Sequence, residues 1–97
     1  MATKKTYIVT FCDSACDCWV DVSRVIGTVY QVKKYLVSLV KECKKDKENW
    51  SGYDGGSETV KEVFEHQDGR LFAYVCGGDH HADINAYPED SLIAEEL

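Results

Sequence analysis

The feature of this sequence that most restricts its fold is a single amphipathic helix in the first half of the chain. Thr28 and Gln31 form a capping box, in which each side chain satisfies a backbone N–H group at the start of a helix. Apolar residues then recur at spacings of three and four, which places them on one side of the helix: Val29, Val32, Leu36, Leu39, Val40 and Cys43. Lysines crowd the C-terminal end, where the helix dipole favours cations. The sequence therefore predicts a helix over residues 29–46 with one face to bury.

Strand-like segments lie on both sides of this helix. Before it, TYIVTFC (6–12) is rich in β-branched and aromatic residues, and CWVDVSRVI (18–26) alternates between two faces. The turn DSACD joins these segments, so together they predict a β-hairpin. After the helix, a loop over 49–58 leads into three further predicted strands: TVKEVFEH (59–66), LFAYVC (71–76) and HHADINAY (80–87).

The resulting order, β-β-α-β-β-β, predicts an α+β fold. A mostly antiparallel sheet should carry the helix packed on one of its faces. With 97 residues and no composition break, the chain is expected to form one domain over residues 1–97. Pro88 should end the last strand, and residues 89–97 should form a short helical turn or a tail.

Three of the five cysteines lie in one turn, FCDSACDCW (11–19). The predicted topology puts this turn at the same end of the sheet as the turn that carries Cys76, His80 and His81. Zinc prefers four thiolate or imidazole ligands, and a metal would fasten the two turns of a small core. We therefore expect a structural zinc ion held by four ligands from one pool: Cys12, Cys16, Cys18, Cys76 and His80. His81 points to the opposite strand face from His80, so at most one of the two should bind.

Two alternatives stay open for these thiols. They could be buried cysteines that behave as small hydrophobic residues, or they could serve in a disulfide or a redox reaction. Five cysteines cannot all pair within one chain, and clustered Cys and His in a reducing compartment favour metal binding. Cys43 continues the helix stripe and is expected in the core, whereas His66, at a strand end, is expected in solvent.

The charge of the chain is divided unevenly between its halves. Residues 1–50 carry a formal charge of +3 and residues 51–97 carry −9, which gives the overall −6. The second half should repel nucleic acid and attract a basic protein surface, unless the acids serve only solubility. The carboxylates expected to face such a partner share one acid-rich surface: Glu58, Glu62, Glu65, Asp68, Asp79 and Asp83. Trp50 and Tyr53, in the loop after the helix, are the expected apolar anchors, or else they cover an edge of the sheet.

The sequence predicts a protein that is not an enzyme and does not bind nucleic acid by itself. It contains no nucleophile elbow, phosphate-binding loop or metalloprotease helix motif, and a zinc ion with four protein ligands has no open position. No apolar run approaches the roughly 20 residues of a membrane span, and MATKKTYIVT lacks the apolar segment of a secretory signal. We therefore expect the protein in the cytoplasm.

In size, charge and strand-helix-strand plan, the whole chain is similar to the small anti-defence proteins of bacteriophages and mobile elements. It resembles in particular the anti-CRISPR proteins that block type II effector nucleases. The segment GTVYQVKKYLVSLVKECKKDKE (27–48), followed by an acidic half with short hairpins, also looks like open reading frames of Gram-positive phages. The resemblance implies that the chain binds and inhibits a large, basic, nucleic-acid-handling protein of a bacterial host. A Cys/His cluster would mark it as a metal-containing member. The alternative is a small metal- or thiol-based sensor without inhibitory role.

Overall fold

The structure, a computed structural model, describes residues 2–13, 20–78 and 80–97. Its strands and helix, in chain order, are β1 (Lys5–Asp13), β2 (Val20–Gly27), α1 (Val29–Lys45), β3 (Tyr53–Gly56), β4 (Phe64–Glu65), β5 (Leu71–Gly77) and β6 (His80–Pro88). Single turns of 3-10 helix lie at Val60–Glu62 and Glu89–Ser91. No helix in the described part of the chain is long and apolar enough to cross a membrane.

All six strands belong to one antiparallel sheet, in which the strand order is β2-β1-β6-β5-β3. The last edge is shared, because β3 pairs with the second half of β5 and the two-residue β4 pairs with its first half. The central pair joins β1 to β6, from Tyr7 opposite Pro88 to Asp13 opposite Ala82. The predicted α+β class, with one helix on one face of an antiparallel sheet, is confirmed.

The helix begins and ends as its local sequence predicts. The Thr28 N–H donates to Gln31 Oε1 at 2.9 Å, and the Gln31 N–H donates to Thr28 Oγ1 at 3.1 Å, which completes the capping box. Five residues bury their side chains against the sheet: Val32, Leu36, Val37, Val40 and Cys43. Two predicted members of the stripe lie at its margin, because Val29 is exposed and Leu39 is only partly buried.

Beneath the helix, alternate residues of three strands form the closed face of the sheet. These residues are buried, and they are Tyr7 and Val9 of β1, Leu71, Ala73 and Val75 of β5, and Ala82, Ile84 and Ala86 of β6. Gly56 of β3 fits between this layer and the helix. A Cβ atom there would lie 2.6 Å from the Tyr74 carbonyl oxygen and 2.9 Å from Val40 Cγ1, so the position admits no side chain.

The strand predicted over residues 59–66 is wrong in most of its length. Val60–Glu62 form a 3-10 turn, and only Phe64 and Glu65 pair with β5. The segment turns there because Val63 enters the core, where it is 4% exposed. A strand occurs earlier instead, in the predicted loop, where β3 and the buried Ser57 run beside β5. Ser57 donates its N–H to the Tyr74 carbonyl at 2.9 Å and accepts the Tyr74 N–H through its hydroxyl at 3.2 Å.

Candidate functional site

The face of the sheet opposite the helix is here called the open face. Within the described ranges, the only helix longer than a single turn lies on the other side. Large apolar side chains are exposed at both margins of the open face: Val20 (58%), Val22 (66%) and Ile26 (72%) on β2, and Phe64 (56%) on β4. An antiparallel sheet with one solvated face usually turns polar side chains outward. Exposed apolar area of this kind is typical of interaction surfaces.

Polar side chains of β6 lie on the open face between these margins. Arg70, in the turn before β5, donates one N–H to Asn85 Oδ1 at 2.6 Å, and a second guanidinium nitrogen lies 3.1 Å from His66 Nε2. His81 Nε2 lies 3.7 Å from Asp83 Oδ1 on the same face. His66 is exposed, as predicted, although Arg70 orients it. The open face therefore has exposed apolar margins with hydrogen-bonded polar side chains between them.

The strand ends next to the two predicted cysteine and histidine turns lie at the same end of the sheet, because Asp13 at the end of β1 lies opposite Ala82, and His80 starts β6. Strand alternation, however, separates the candidate ligands. His80 faces the helix side, where its ring lies 5.1 Å from that of Trp50 and its Nδ1 lies 3.6 Å from Asp13 Oδ1. Cys12 and Cys76 project from the open face, as does His81 opposite Cys76.

The described members of the predicted ligand pool, Cys12, Cys76 and His80, therefore do not form a single cluster. Cys12 and Cys76 are separated by β6 and offset along it, which puts their backbones more than about 10 Å apart at the usual strand spacing. Zinc–sulfur bonds are about 2.3 Å, so these two thiols cannot share one zinc ion. His80 was the preferred histidine of the pool, but it lies on the opposite face from both thiols. Cys16 and Cys18 lie outside the described residues. Over residues 2–13, 20–78 and 80–97, no three His, Cys, Asp or Glu side chains are grouped to hold a metal ion.

Cys43 belongs to the core, as its place in the helix stripe predicts. Burial first, and then the carboxylates of Asp13, Asp46 and Glu42, raise the pKa of its thiol to about 11. The thiol is therefore protonated at neutral pH. These three carboxylates therefore lie near Cys43, at the C-terminal end of α1.

The loop aromatics do not have the exposure predicted for anchors. Trp50 is 5% exposed and packs in the core, so its interpretation as an exposed anchor is wrong. The cause is the turn after α1, in which the Trp50 N–H donates to the Asp46 carbonyl at 2.7 Å and returns the chain toward the sheet. Tyr53 is half-buried, and its hydroxyl donates to Glu58 Oε2 at 2.8 Å. Burial first, and then the Glu58 hydrogen bond, raise the pKa of Tyr53.

The predicted acid-rich face is not one surface either. Glu65 pairs with Lys33 of the helix at 3.2 Å, on the closed side of the sheet, whereas Asp83 lies on the open face. Most of the described acids have partners within the molecule: Glu58 binds Lys44 at 2.8 Å, Glu62 accepts from the Thr59 hydroxyl at 3.0 Å, and Asp68 accepts from the Arg70 N–H at 3.0 Å. Asp79 lies outside the described residues.

A different group of carboxylates surrounds a cavity between α1 and the strands β1 and β2. The cavity has a volume of about 470 Å³. Its walls include three aromatic side chains, Phe11, Tyr35 and Trp50, and its acids are Asp21, Glu42 and Asp46. No lysine or arginine is among its described lining residues. This volume lies within the usual range of ligand pockets.

Sequence reasoning missed both this cavity and the open face. The alternation of β2 was visible, with Val20 and Val22 on one face and Asp21 and Ser23 on the other. Only the register, which sets Asp21 opposite Phe11, shows that the polar side of β2 faces the helix and the apolar side faces solvent. A search for relatives adds no family: no protein-family model, curated protein or solved structure matches this chain significantly.

Proposed function

We propose that this chain is a non-enzymatic binding protein that occupies a basic surface of a nucleic-acid-processing protein. The observation that carries the proposal is the cavity between α1 and the β1–β2 hairpin, in which three carboxylates and three aromatic rings meet without a lysine or arginine among the described lining. Carboxylates attract a cation, and aromatic rings stabilise it over their faces. The side chain that best matches this combination is an arginine or lysine, whose apolar stem can pack against the rings.

The charge state of the cavity supports this assignment. Asp46 accepts hydrogen bonds from both the N–H and the side-chain amide of Asn49, at 3.1 and 3.0 Å, and these bonds lower its pKa. Asp46 is therefore anionic at neutral pH. Burial first, and then the nearby carboxylates of Asp13, Asp46 and Glu42, raise the pKa of the Cys43 thiol, which lines the same cavity. A basic side chain would relieve this concentration of negative charge.

The resemblance to anti-CRISPR proteins gives the proposal its specific form. The partner is then a type II CRISPR effector nuclease in the cytoplasm of a bacterial host, and the chain blocks DNA binding or cleavage by contacting the basic surface that receives DNA. The −9 charge of residues 51–97 would speed the encounter and make it sensitive to salt. The same charge argues against nucleic acid as the direct ligand.

The experiment compares two double variants with the same change of charge. One reverses Asp21 and Glu42, both exposed at the cavity, to lysine, and the control reverses the exposed Glu95 and Glu96 to lysine. Inhibition of target-DNA cleavage by a guide-loaded type II nuclease should weaken by at least about tenfold in the cavity variant. The control should inhibit as well as the original chain does.

Circular dichroism must first show that both variants fold. If the original chain does not inhibit the nuclease, or if the two variants lose inhibition equally, the proposal fails. A gel-shift experiment at low salt with duplex and single-stranded DNA should show no complex with the protein alone. A micromolar complex would mean that the chain acts on nucleic acid instead.

We also propose that the cysteine-rich first turn holds a structural zinc ion. The support is the sequence cluster Cys12, Cys16 and Cys18, together with His81, which lies on the neighbouring strand β6 and projects from the same open face as Cys12. Elemental analysis of reduced protein, purified without a metal-affinity tag, should give about one zinc ion per chain. A ratio near zero, together with thermal stability that is indifferent to chelator, would exclude this site. It would leave the binding proposal intact.

A further inference from the structure

The outer edge of β2 is the longest unpaired strand edge in the described part of the chain. All eight residues of β2 pair with β1, from Lys5 opposite Gly27 to Cys12 opposite Val20, and β2 ends the strand order. An edge strand presents a row of backbone N–H and C=O groups that can pair with another strand. The opposite edge differs, because β3 has four residues, two of them glycine, and its register shifts between Tyr53 and Gly55.

Natural proteins usually protect a long edge with outward-pointing charges or proline. On β2 the charged side chains are directed elsewhere. Arg24 Nε lies 2.8 Å from Glu89 Oε2, and Glu89 follows β6, so this guanidinium reaches across β1 and away from the outer edge. Asp21 faces the helix side and lines the cavity there. The open-face side of the edge therefore presents Val20, Val22 and Ile26, all exposed.

The strand is complementary to itself in an antiparallel arrangement. With a two-fold axis at Ser23, Val20 of one copy lies opposite Ile26 of the second copy, and Val22 lies opposite the aliphatic stem of Arg24. Each of these pairs lies on the open face, as antiparallel pairing requires. The formal charge of β2 is zero, since Asp21 offsets Arg24. The excess of acidic residues in 51–97 lies outside this strand. In this arrangement, the exposed apolar residues of β2 in one copy would be covered by residues of β2 in the second copy.

We propose that two copies of this chain pair through β2, antiparallel and centred on Ser23, to form one continuous sheet. A second copy fits better than an unrelated strand because the complementary residues are present on β2 itself. The assembly stops at two copies, because a two-fold contact pairs the β2 edges of both chains and leaves no β2 edge for a third copy. The short, irregular β3 edge does not extend the sheet further. This dimer is independent of the partner proposed above.

The experiment is sedimentation equilibrium of the reduced protein from low micromolar to near-millimolar concentration. A single-strand contact buries less than a standard interface, so the dimer should dissociate reversibly within this range. The weight-average mass should rise from 10.9 kDa toward about twice that value. Val22→Lys puts a charge on the contact and should raise the dissociation constant by at least about tenfold.

The matched control is Phe64→Lys. Phe64 is also an exposed apolar residue of the open face, but it lies on β4, at the other margin of the sheet. This variant should dimerise like the original chain. Amide hydrogen exchange of Val20–Ile26 should also slow as protein concentration rises, whereas exchange in β3 should not change.

Three results would overturn the dimer. They are a constant mass of one chain at every concentration, equal weakening by Val22→Lys and Phe64→Lys, or growth beyond two copies. Because reducing agent is present throughout, a disulfide cannot account for a doubled mass.

Discussion

The two faces of the sheet are made from the same strands, yet they differ in almost every physical respect. On the closed face, aliphatic residues and alanines are fully buried beneath α1, and a backbone glycine fits where no Cβ would. On the open face, valine, isoleucine and phenylalanine are exposed at the margins, and Arg70 makes hydrogen bonds with Asn85 and His66. The comparison shows that alternate residues of the same strand serve different purposes, because their side chains lie on different faces of the sheet. One set of residues holds the fold, and the other is available to partners.

The largest expected difference between the faces is in stability. Leu36→Ala removes a fully buried side chain where the helix meets the closed face, and it should lower the free energy of unfolding by about 2–5 kcal/mol. Ile26→Ala on the open face should change it by less than about 0.5 kcal/mol, because the side chain is 72% exposed. Urea denaturation of dilute protein measures both. Equal losses would mean that the open face is part of the core.

The faces should also differ in thiol chemistry. A pKa of about 11, against an ordinary value of 9.0, reduces the thiolate fraction of Cys43 by about 100-fold at neutral pH, before its burial is considered. Cys12 is exposed on the open face. Brief alkylation with iodoacetamide after removal of any bound metal with a chelator, followed by peptide mass mapping, should therefore modify Cys12 long before Cys43. Comparable rates at the two residues would show that the closed face opens readily.

The smallest expected effect concerns Glu58, at the margin of the helix side. Hydrogen bonds from Lys44 and then from Tyr53 lower the pKa of this carboxyl below its usual 4.5. Its contribution to stability is thus fully present above pH 4.5 and is lost as the pH falls through the lowered pKa. Glu58→Gln should reduce the melting temperature slightly at neutral pH and not at all in strong acid. Glu95→Gln is the control, and a pH-independent loss in Glu58→Gln would contradict the assignment.

The parts of the fold that depend on residues close together in the sequence could be predicted from it. The helix follows from a capping box and a repeating stripe, and β1, β5 and β6 follow from their β-branched and aromatic residues and the turns between them. The segment 59–66 could not be predicted, since its turn is determined by Val63 entering a core built from distant strands. β3 could not either, because two glycines disfavour a strand, and only the close approach of the Tyr74 carbonyl and Val40 explains Gly56.

The candidate site was less predictable than the fold, for a physical reason. Which face of β2 the helix covers depends on the pairing of Phe11 with Asp21. The sequence of one strand does not determine its register with the next. Trp50 was expected as an exposed anchor or as the cover of a sheet edge, but a backbone hydrogen bond to Asp46 turns it into the core. Sequence identified the acidic character of the chain correctly and could not locate the carboxylates that share a cavity.

The glycine at position 56 has a consequence for the ancestry of this chain. With a carbonyl oxygen at 2.6 Å and a valine methyl at 2.9 Å from where a Cβ would lie, every one of the other nineteen amino acids collides with backbone or core. Purifying selection should therefore keep glycine at this position for as long as this fold is inherited, while exposed residues outside any interface vary. Diverged descendants should therefore keep a glycine at this point, followed by serine, a short distance after an amphipathic helix. This pair could help to recognise them after overall similarity has been lost.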